Sequence, residues 1–590
     1  MYKRGINSLE KVKNMNIYIS SNKTTYLSMG AILDIKKPYN GMYIKNNKIY
    51  VLDISEKIEL ESNIYNIAEF STLTKTISSE NYLQTIDLEN NYFEYDLGDI
   101  KYSKKINFID ETDILCIEYN ISSIAKRKAI FKIIPYLTYR DMLNMKRSNI
   151  LKFNKRIIDN GILVNLSVTD DENIILKSDF ATFNNNESYL NNLKHEYIDI
   201  NLNKELFVED VYLPGKFEIK VKPGAEVNFK IYLSSKEFEL SEYINKPLSD
   251  LINKYQDNIK EEYIELKKLT KAIHSFESDE LIATIPSNIN IKKSIENIQN
   301  VNINKLCIVL CDITKSIDGQ YLISNEIEKA QKKLEYIINC TKKIDDYGDI
   351  ESLEYIKLKL WIFEMINKLA QKNQGISDIM TNFLKVTIIK IKNNIKSNNA
   401  EYLKFIEIIT LTYNAFKIYE SLLDDTTYFE ITNALKNDIN KKFWNSEYKV
   451  LKYNVDDLKV YATSEMIYSL SLSYQSVDED IPTKLLDTIF KELYTPYGLR
   501  AVSKNSINYK GIIYPKYMAH FVKANLRQNG VTYASQKISY NLVKELLLEI
   551  GKHSINTVKS VYHEKGINVD SNSIDLLTTA EMIRLYDMLT

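Results

Sequence analysis

The sequence predicts a multidomain β + α protein, with an antiparallel β-sandwich up to about residue 240 and an all-helical domain after about residue 276. Two observations support this fold class. Short apolar runs of strand length, separated by clusters of Asn, Asp, Gly and Lys, fill the first part of the chain. Between about residues 240 and 275 the apolar residues then change from an alternating to a helical period. We therefore expect two large domains joined by linker helices.

The N-terminal domain is expected to consist of many short strands in series. Typical runs are NKIYVLDI, TDILCIEYNI, AIFKIIPYLTY, RIIDNGILVNLSV and AEVNFKIYLS. Serial strands of this length commonly pair antiparallel and pack as two sheets. In YLPGKFEIKVKPGAEVNFKIYLS the turn residues Pro214, Gly215, Pro223 and Gly224 predict the last hairpin of the sandwich.

The C-terminal domain is expected to be helical throughout. LSEYINKPLSDLINKYQDNIKEEYIELKKLTKAIHSF predicts linker helices over residues 241–275. Amphipathic segments then recur from residue 325 to 590, among them EIEKAQKKLEYIINC, EYIKLKLWIFEMINKLAQ, MTNFLKVTIIKIKNNI, IPTKLLDTIFKELY and YNLVKELLLEIG. Periodicity alone indicates a helical bundle or a solenoid.

Composition excludes several classes of partner and site. The 77 basic and 78 acidic residues give a net charge of -1, which offers no electrostatic basis for binding nucleic acid or an anionic membrane. No apolar run is long enough to span a bilayer and MYKRGINSLEKVKN lacks the apolar core of a signal peptide, so we expect a cytoplasmic protein. The four cysteines form no zinc pattern, and we expect neither a metal nor a cofactor.

One helical stretch, FIEIITLTYNAFK from Phe405 to Lys417, carries polar residues of unusual type. Its apolar residues recur at spacings of three and four, which is typical of a buried helix face. Glu407, Tyr413 and Asn414 flank that face. These side chains either line a polar cavity where helices converge or belong to an ordinary core helix with a surface Glu and a hydrogen-bonded Tyr.

The pattern I-E-I-x-x-L-x-Y-N-A in this stretch resembles a helix of bacterial and archaeal glycogen debranching enzymes, in which the usual form is V-E-I-N-A-L-W-Y-N-A-L. The chain contains further landmarks of that family in order. SSNKTTYLSMGAILDIKKPYNGMYI resembles its N-terminal stretch, and FKIIPYLTYRDM resembles L-R-P-x-x-x-x-R-D-Y-H. The adjacent Arg140 and Asp141 predict a local ion pair at a strand end.

Later landmarks extend the resemblance to the end of the chain. They are KKFWNSEYKVLKYNVDD, YSLSLSY, ELYTPYGLRAVS, GIIYPKYMAHFVKANLR and the last helix TTAEMIRLYDML. The resemblance implies a β-sandwich over residues 1–240, linker helices over 241–275 and a six-hairpin, (α/α)6 toroid over 276–590. It also implies amylo-α-1,6-glucosidase chemistry, an inverting hydrolysis by a carboxylic acid and a carboxylate that are about 6.5–9.5 Å apart.

The family's catalytic carboxylates are absent from the positions where the resemblance implies them. Lys305 stands at the position of the acid, and Lys559 or Ser560 at the position of the base. A third acidic position holds Lys357. A lysine cannot replace either member of the pair, because an ammonium group opposes the positive charge that develops on the sugar. The fallback carboxylates are Glu407, Glu465 and Glu564, and the candidate glycan-binding residues are Trp361, Glu407, Tyr413, Asn414 and Tyr514.

Three functions remain open on the sequence. The first is an inactive relative of debranching enzyme that keeps a glycan-binding, structural or regulatory role in glycogen metabolism. The second is an active glucosidase with a relocated acid and base. The third is a scaffold for an unknown protein partner with no glycan ligand. We favour the first, with an α-glucan or oligosaccharide as the expected partner.

Overall fold

The computed structural model describes residues 2–589 except for 4–14, 22–24, 47, 62, 79–81, 89, 111, 167–171, 200, 245, 253–268, 270–272, 274–280, 283, 286–288, 297, 348–351, 374, 397–399, 553–556 and 567–573. The chain divides into two compact units. The first comprises the described residues of 1–258, 274–290 and 551–557, and the second those of 259–273, 291–550 and 558–590. Most of the predicted linker, 241–275, lies outside the described residues. The predicted domain boundaries stay predictions.

The first unit consists almost entirely of β-strands. They are β1 Tyr2–Lys3, β2 Asn16–Ser20, β3 Thr25–Gly30, β4 Gly41–Lys45, β5 Lys48–Leu60, β6 Asn63–Ile67, β7 Phe70–Ser71, β8 Thr76–Ile77, β9 Leu83–Asp87, β10 Tyr92–Asp96, β11 Ile100–Phe108, β12 Leu115–Ser123, β13 Ala129–Asp141, β14 Asn154–Ile158, β15 Gly161–Asn165, β16 Asn173–Ser178, β17 Thr182–Asn184, β18 Ser188–Ile198, β19 Lys204–Leu213, β20 Lys216–Val221 and β21 Glu226–Ser234. Two short turns of 3-10 helix, Leu240–Glu242 and Leu248–Asp250, follow, and Leu281–Ile282 pairs with Ile289–Asn290.

These strands form two large antiparallel sheets. The nine-stranded sheet has the order β1-β9-β10-β11-β12-β21-β16-β15-β14. The ten-stranded sheet follows β17-β20-β13-β5-β4-β3-β2, with β6 on β5, β19 on β13 and β18 on β19. In β11 the residues alternate between buried and partly or fully exposed, so one face of this strand is packed and the other is solvated.

The core lies between the two sheets and is rich in aromatic rings. Phe131 of the ten-stranded sheet meets Tyr102, Tyr119 and Phe229 of the nine-stranded sheet at centroid distances of 5.2, 5.9 and 6.2 Å. A buried ion pair joins the same layers, because Lys104 on β11 lies 2.8 Å from Glu56 on β5. These contacts between facing sheets make the unit a β-sandwich.

Arg140 does not form the predicted ion pair with Asp141. Its guanidinium donates two hydrogen bonds to Glu209 on β19, at 2.7 and 2.8 Å, and bonds Asp141 only through the backbone carbonyl. The prediction was wrong because it considered only neighbours in sequence, whereas β19 pairs with β13 and brings Glu209 alongside. Nε2 of His195 lies 2.6 Å from the same carboxylate.

The second unit contains twelve α-helices among its described residues. They are α1 Ile291–Glu296, α2 Ile303–Ile317, α3 Ile327–Tyr347, α4 Leu353–Asn373, α5 Asp378–Lys396, α6 Ile406–Leu423, α7 Phe429–Asp438, α8 Tyr468–Ser471, α9 Pro482–Glu492, α10 Met518–Asn529, α11 Tyr533–Leu547 and α12 Leu576–Leu589. Single turns of 3-10 helix (Ile298–Asn300, Glu401–Lys404, Ser464–Ile467, Pro515–Tyr517) and π-helix (Asp318–Leu322, Ile439–Phe443) adjoin them. Short strands of this unit are Trp444–Asn445, Val450–Leu451, Tyr494–Thr495, Gly498–Arg500, Ile512–Tyr514, Tyr562–His563 and Ile574–Asp575, whereas the short strand Thr284–Ile285 belongs to the first unit.

Alternate helices of this unit form a closed ring. Each of α2, α4, α6, α8 and α10 contacts the next member of that series, and α12 returns to contact α2. The intervening helices α3, α5, α7 and α11 pack against this inner ring from outside, and α9 packs against α10. Because every second helix belongs to the ring, the ring helices run parallel and their N-terminal ends lie at one end of it.

Candidate functional site

Seven polar side chains lie together near the first residues of α4, α6, α8, α10 and α12 and the last turns of α2, and we call them the helix-end cluster: Asp312, Lys315, Lys357, Glu407, Glu465, Tyr517 and Asp575. Lys357 and Glu407 lie in the first two turns of α4 and α6. Glu465 and Tyr517 lie in the 3-10 turns that precede α8 and α10, and Asp575 directly precedes α12. Asp312 and Lys315 project from α2.

The centre of the cluster is an ion pair between two inner helices. Nζ of Lys357 lies 3.0 Å from Oε2 of Glu407, and the two side chains are 19% and 12% exposed. Burial opposes the charge on Lys357, but the Glu407 carboxylate outweighs it and raises the lysine's pKa. Glu407 is therefore a carboxylate neutralised by an ammonium group and still reachable from solvent.

Glu465 has a different environment from Glu407. The Tyr517 hydroxyl lies 3.4 Å from its Oε1. Burial, followed by the neighbouring Glu407 carboxylate, raises the pKa of Glu465. The two carboxyl groups thus have different surroundings: Glu407 lies against an ammonium group, whereas burial shifts the pKa of Glu465 upward.

Lys315 covers the indole that the sequence suggested as a sugar-stacking surface. Its Nζ lies 4.7 Å from the centroid of Trp361, which is only 1% exposed. The indole also packs edge-on against Tyr468 at 5.1 Å, and its Nε1 has no hydrogen-bond partner among the described residues. Trp361 therefore forms a buried wall behind the cluster.

Asp312 and Asp575 are carboxylates that the sequence analysis missed. The pKa of Asp575 is raised, because burial and the Asp312 carboxylate outweigh two opposing contributions. These are a hydrogen bond from the Thr578 amide (2.5 Å) and the ammonium group of Lys516. Asp575 also precedes α12 by one residue, and Asp before a helix ordinarily indicates only a cap. Asp312 lies about two turns along α2 from Lys305, at a position that helical spacing alone did not distinguish.

A second layer of charged side chains lies further along the inner helices. Asp318, after α2, lies 2.5 Å from Lys368 of α4 and 2.8 Å from Arg584 of α12. Asn414 belongs to this layer, since its amide donates to Glu364 at 2.9 Å and accepts from the backbone N–H of Tyr474 at 3.0 Å. Asn414 is fully buried, and both its polar atoms serve the packing of the ring.

The remaining predicted site residues lie in several places. Glu564 bonds Arg500 at 3.1 Å and Lys504 at 2.5 Å, and the hydrogen bond from Lys504 is the main cause of its lowered pKa. Lys305 is exposed in the first turn of α2, where its N–H donates to Asn302. Lys559 and Ser560 are buried, and they lie in the stretch of sequence that connects α11 to α12. The ring of Tyr514 is half-buried beside Tyr517 at 6.1 Å, and Tyr413 is buried on α6.

Among the residues that the structure describes, no group of three or more His, Cys, Asp or Glu side chains could hold a metal ion. The helix-end cluster offers both hydrogen-bond donors and hydrogen-bond acceptors, and its Lys357 and Glu407 side chains are 19% and 12% exposed. Such a mixture suits hydroxyl groups, which donate and accept at the same time.

Two protein-family models match this chain. Residues 44–228 match the family described as "Glycogen debranching enzyme N terminal", and residues 376–564 match "Amylo-alpha-1,6-glucosidase". Together the two matches cover more than half of the chain and fall in the expected order. The chain belongs to the glycogen debranching enzyme family. This confirms the resemblance that the sequence landmarks indicated.

One solved structure supports the same fold for this member of the debranching enzyme family. A bacterial glucoamylase, in complex with acarbose, is 11% identical with a TM-score of 0.50, and the match covers 98% of this chain and 94% of that one. A putative kojibiose phosphorylase from human microbiome is 10% identical with a TM-score of 0.33, over 98% and 87% of the chains. The lower score supports no conclusion. No curated protein matches the sequence.

The first similarity confirms the predicted fold class, a β-sandwich followed by a six-hairpin helical domain. No helix among the described residues is long and apolar enough to cross a membrane. The catalytic and glycan-binding assignments, and the cytoplasmic location, stay predictions.

Proposed function

We propose that the helix-end cluster binds an α-glucan or a related oligosaccharide without hydrolysing it at an enzyme's rate, and that the protein serves glycogen metabolism by binding or regulation. The observation that carries the proposal is the ion pair between Glu407 and Lys357 at 3.0 Å. It places an ammonium group against the best-positioned carboxylate of a cluster that is otherwise suited to hydroxyl groups.

The absence of rapid hydrolysis follows from the charges around that ion pair. A carboxylate paired with an ammonium group is a weaker base toward water, and general acid–base catalysis supplies roughly 10²–10⁴-fold in rate. Burial opposes the charge on Lys315, but its neighbours Cys311, Glu407 and Asp312 outweigh burial and raise the pKa of this lysine, which adds a second cation. Two cations oppose the positive charge that develops on the sugar in glycoside hydrolysis.

One observation favours a second candidate function, hydrolysis by a relocated pair. Burial and the Glu407 carboxylate raise the pKa of Glu465, which is the direction that a general acid requires, whereas Glu407 is 12% exposed beside Lys357 and can contact a water molecule. In this assignment Glu465 protonates the leaving oxygen and Glu407 activates water.

The test is to incubate the full chain with a limit dextrin or a glucosyl-branched maltooligosaccharide. Free glucose is followed by a coupled assay, and binding by calorimetry. We expect binding without glucose release, and weaker binding for Glu407→Gln and Glu465→Gln. Glu564→Gln is the matched control, since its carboxylate is bound to Arg500 and Lys504.

Each other outcome selects a different function. Glucose release that disappears in Glu465→Gln establishes the relocated pair and overturns the non-hydrolytic proposal. A chain that neither binds nor cleaves the glucan has no glycan ligand, and the interaction scaffold then becomes the function to pursue.

A further inference from the structure

The outer face of the nine-stranded sheet, in the first unit, contains a cleft of about 570 Å³. We call it the sheet cleft. Its volume lies within the roughly 300–1,000 Å³ of ordinary small-molecule sites. The side chains that matter for its chemistry are Tyr92, Ser103, Lys105, Asn120, Asn228 and Ile244.

Strand register places these polar residues side by side. Ser103 on β11 pairs with Asn120 on β12, and Asn120 pairs with Asn228 on β21. Tyr92 on β10 pairs in turn with Lys105 on β11. Because side chains alternate between the faces of a strand, both rows project to the face opposite the aromatic core.

Ile244 and the described residues just after it form a wall on one side of the cleft, and hydrogen bonds hold this wall to the sheet. Lys230 donates to the carbonyl of Lys246 at 2.7 Å, and the backbone N–H of Leu248 donates to Glu118 at 3.3 Å. The same segment is anchored below by Leu240 and Leu248, which pack with Cys116 and Tyr232. The wall therefore exists before any ligand binds, which lowers the entropic cost of binding.

The polar groups within the cleft are available to a ligand. Among the described residues, the side chains of Tyr92, Ser103, Lys105, Asn120 and Asn228 form no hydrogen bond or ion pair. Polar groups on a flat sheet face normally form hydrogen bonds with water. Here they line a concave surface beside the apolar side chain of Ile244, which is 37% exposed.

The lining determines the class of ligand. Lys105 and Lys230 balance Glu118 and Asp179 in charge, so neither an anion nor a cation is favoured. Two amides, a hydroxyl and a phenol match a neutral molecule that carries many hydroxyl groups. We propose that the sheet cleft is a carbohydrate-binding site for a neutral oligosaccharide, separate from the helix-end cluster and independent of what that cluster does.

The test is titration of the full chain with maltoheptaose, and with cellohexaose as a β-linked probe, by calorimetry. Asn120→Ala/Asn228→Ala removes two amides from the cleft, and Asn120→Trp fills it. Asn154→Ala is the matched control, because Asn154 is exposed on β14 of the same sheet. We expect both cleft variants to lose one equivalent of bound oligosaccharide, with affinity at that site reduced by at least about tenfold.

The titrations distinguish failure of the sheet-cleft inference from failure of the proposal for the helix-end cluster. Binding that is reduced by Glu465→Gln but unchanged in both cleft variants overturns the sheet-cleft inference alone. Binding that is lost in the cleft variants but unchanged by Glu465→Gln supports the sheet cleft and overturns the proposed role of the helix-end cluster. Binding of neither probe to the wild-type chain overturns both.

Discussion

At the scale of single residues, Arg140 is a fully buried cation whose hydrogen bonds are all internal. Besides Glu209, its guanidinium donates to the carbonyls of Pro38 at 2.9 Å and Met142 at 2.6 Å. Burial opposes ionisation of Glu209, but Arg140 and His195 outweigh it and lower the pKa of this carboxyl to about 2. The two charges stabilise the sandwich only as a pair.

Removing one member should therefore destabilise the first unit strongly. We expect Arg140→Ala to lower its free energy of unfolding by about 3–5 kcal/mol, because an uncompensated carboxylate stays buried. Urea denaturation followed by far-UV circular dichroism measures the change. Lys204→Ala is the control, since its ion pair with Glu196 is about half exposed and should contribute less than about 1 kcal/mol. A similar loss in both variants would contradict the explanation.

The charge of Lys523 on α10 destabilises the second unit, whereas the charges of Arg140 and Glu209 together stabilise the first. Burial, with the nearby Lys368, Arg584 and Arg527 cations, lowers the pKa of Lys523 to about 7, although Glu364 opposes this. The unfolded chain, whose lysines titrate near pH 10.5, then binds more protons than the folded chain between about pH 7 and 10.5. Stability of the second unit should therefore rise with pH across that window.

We expect Lys523→Met to stabilise the second unit at pH 7 by about 1–3 kcal/mol, a figure reduced for partial contact of the side chain with solvent. The advantage should shrink as pH approaches 10. Urea denaturation at pH 7, 8 and 9, followed by tryptophan fluorescence, measures it. Lys332→Met, at an exposed position of α3, is the control and should show no such pH dependence. An equal effect of Lys523→Met at all three pH values would contradict the assigned pKa.

At the scale of elements, the sequence predicted α6 better than it predicted the residues around it. Helical spacing correctly placed the apolar residues that follow Phe405 inside, because the burial of a helix face follows directly from the order of apolar and polar residues, whereas Phe405 itself caps the helix and is half-buried. The same spacing left Glu407 and Asn414 equivalent. Only the neighbouring helices decide that Glu407 faces Lys357 at the helix end and that Asn414 is enclosed by Glu364 and Tyr474.

The distance between α12 and the π-turn Asp318–Leu322 depends on a single residue, Gly319. A Cβ atom on Gly319 would lie 2.0 Å from the backbone carbonyl oxygen of Ala580 on α12. Neither backbone can move away cheaply, because both belong to the inner ring. The sequence alone gave no sign of this contact.

We expect Gly319→Ala to lower the free energy of unfolding of the second unit by at least about 1–3 kcal/mol, since extra volume in a packed site forces the backbone apart. Gly375→Ala is the matched control, because nothing lies within 4 Å of the added atom. It should change stability by less than about 0.5 kcal/mol, or raise it slightly. Tryptophan fluorescence during urea denaturation compares the two variants. Equal effects would show that the helices separate more easily than the close contact implies.

At the scale of the whole molecule, the two compact units have separate cores of different type. The first is an aromatic layer between sheets, and the second is the interior of a ring of helices. Chains with two cores commonly depart from a single two-state transition. The two tryptophans, Trp361 and Trp444, both lie in the second unit, so indole fluorescence reports on that unit alone.

We expect urea denaturation of the full chain to show two transitions, one followed by both circular dichroism and tryptophan fluorescence and one by circular dichroism only. Arg140→Ala should shift the transition that fluorescence does not detect, and Gly319→Ala the one that it does. In the double variant each transition should keep the shift of its single variant within about 0.5 kcal/mol, because the sites share no partners. A single transition, displaced equally by either substitution in both signals, would instead mean that the two cores unfold together, and each variant's loss of stability would then belong to the whole chain.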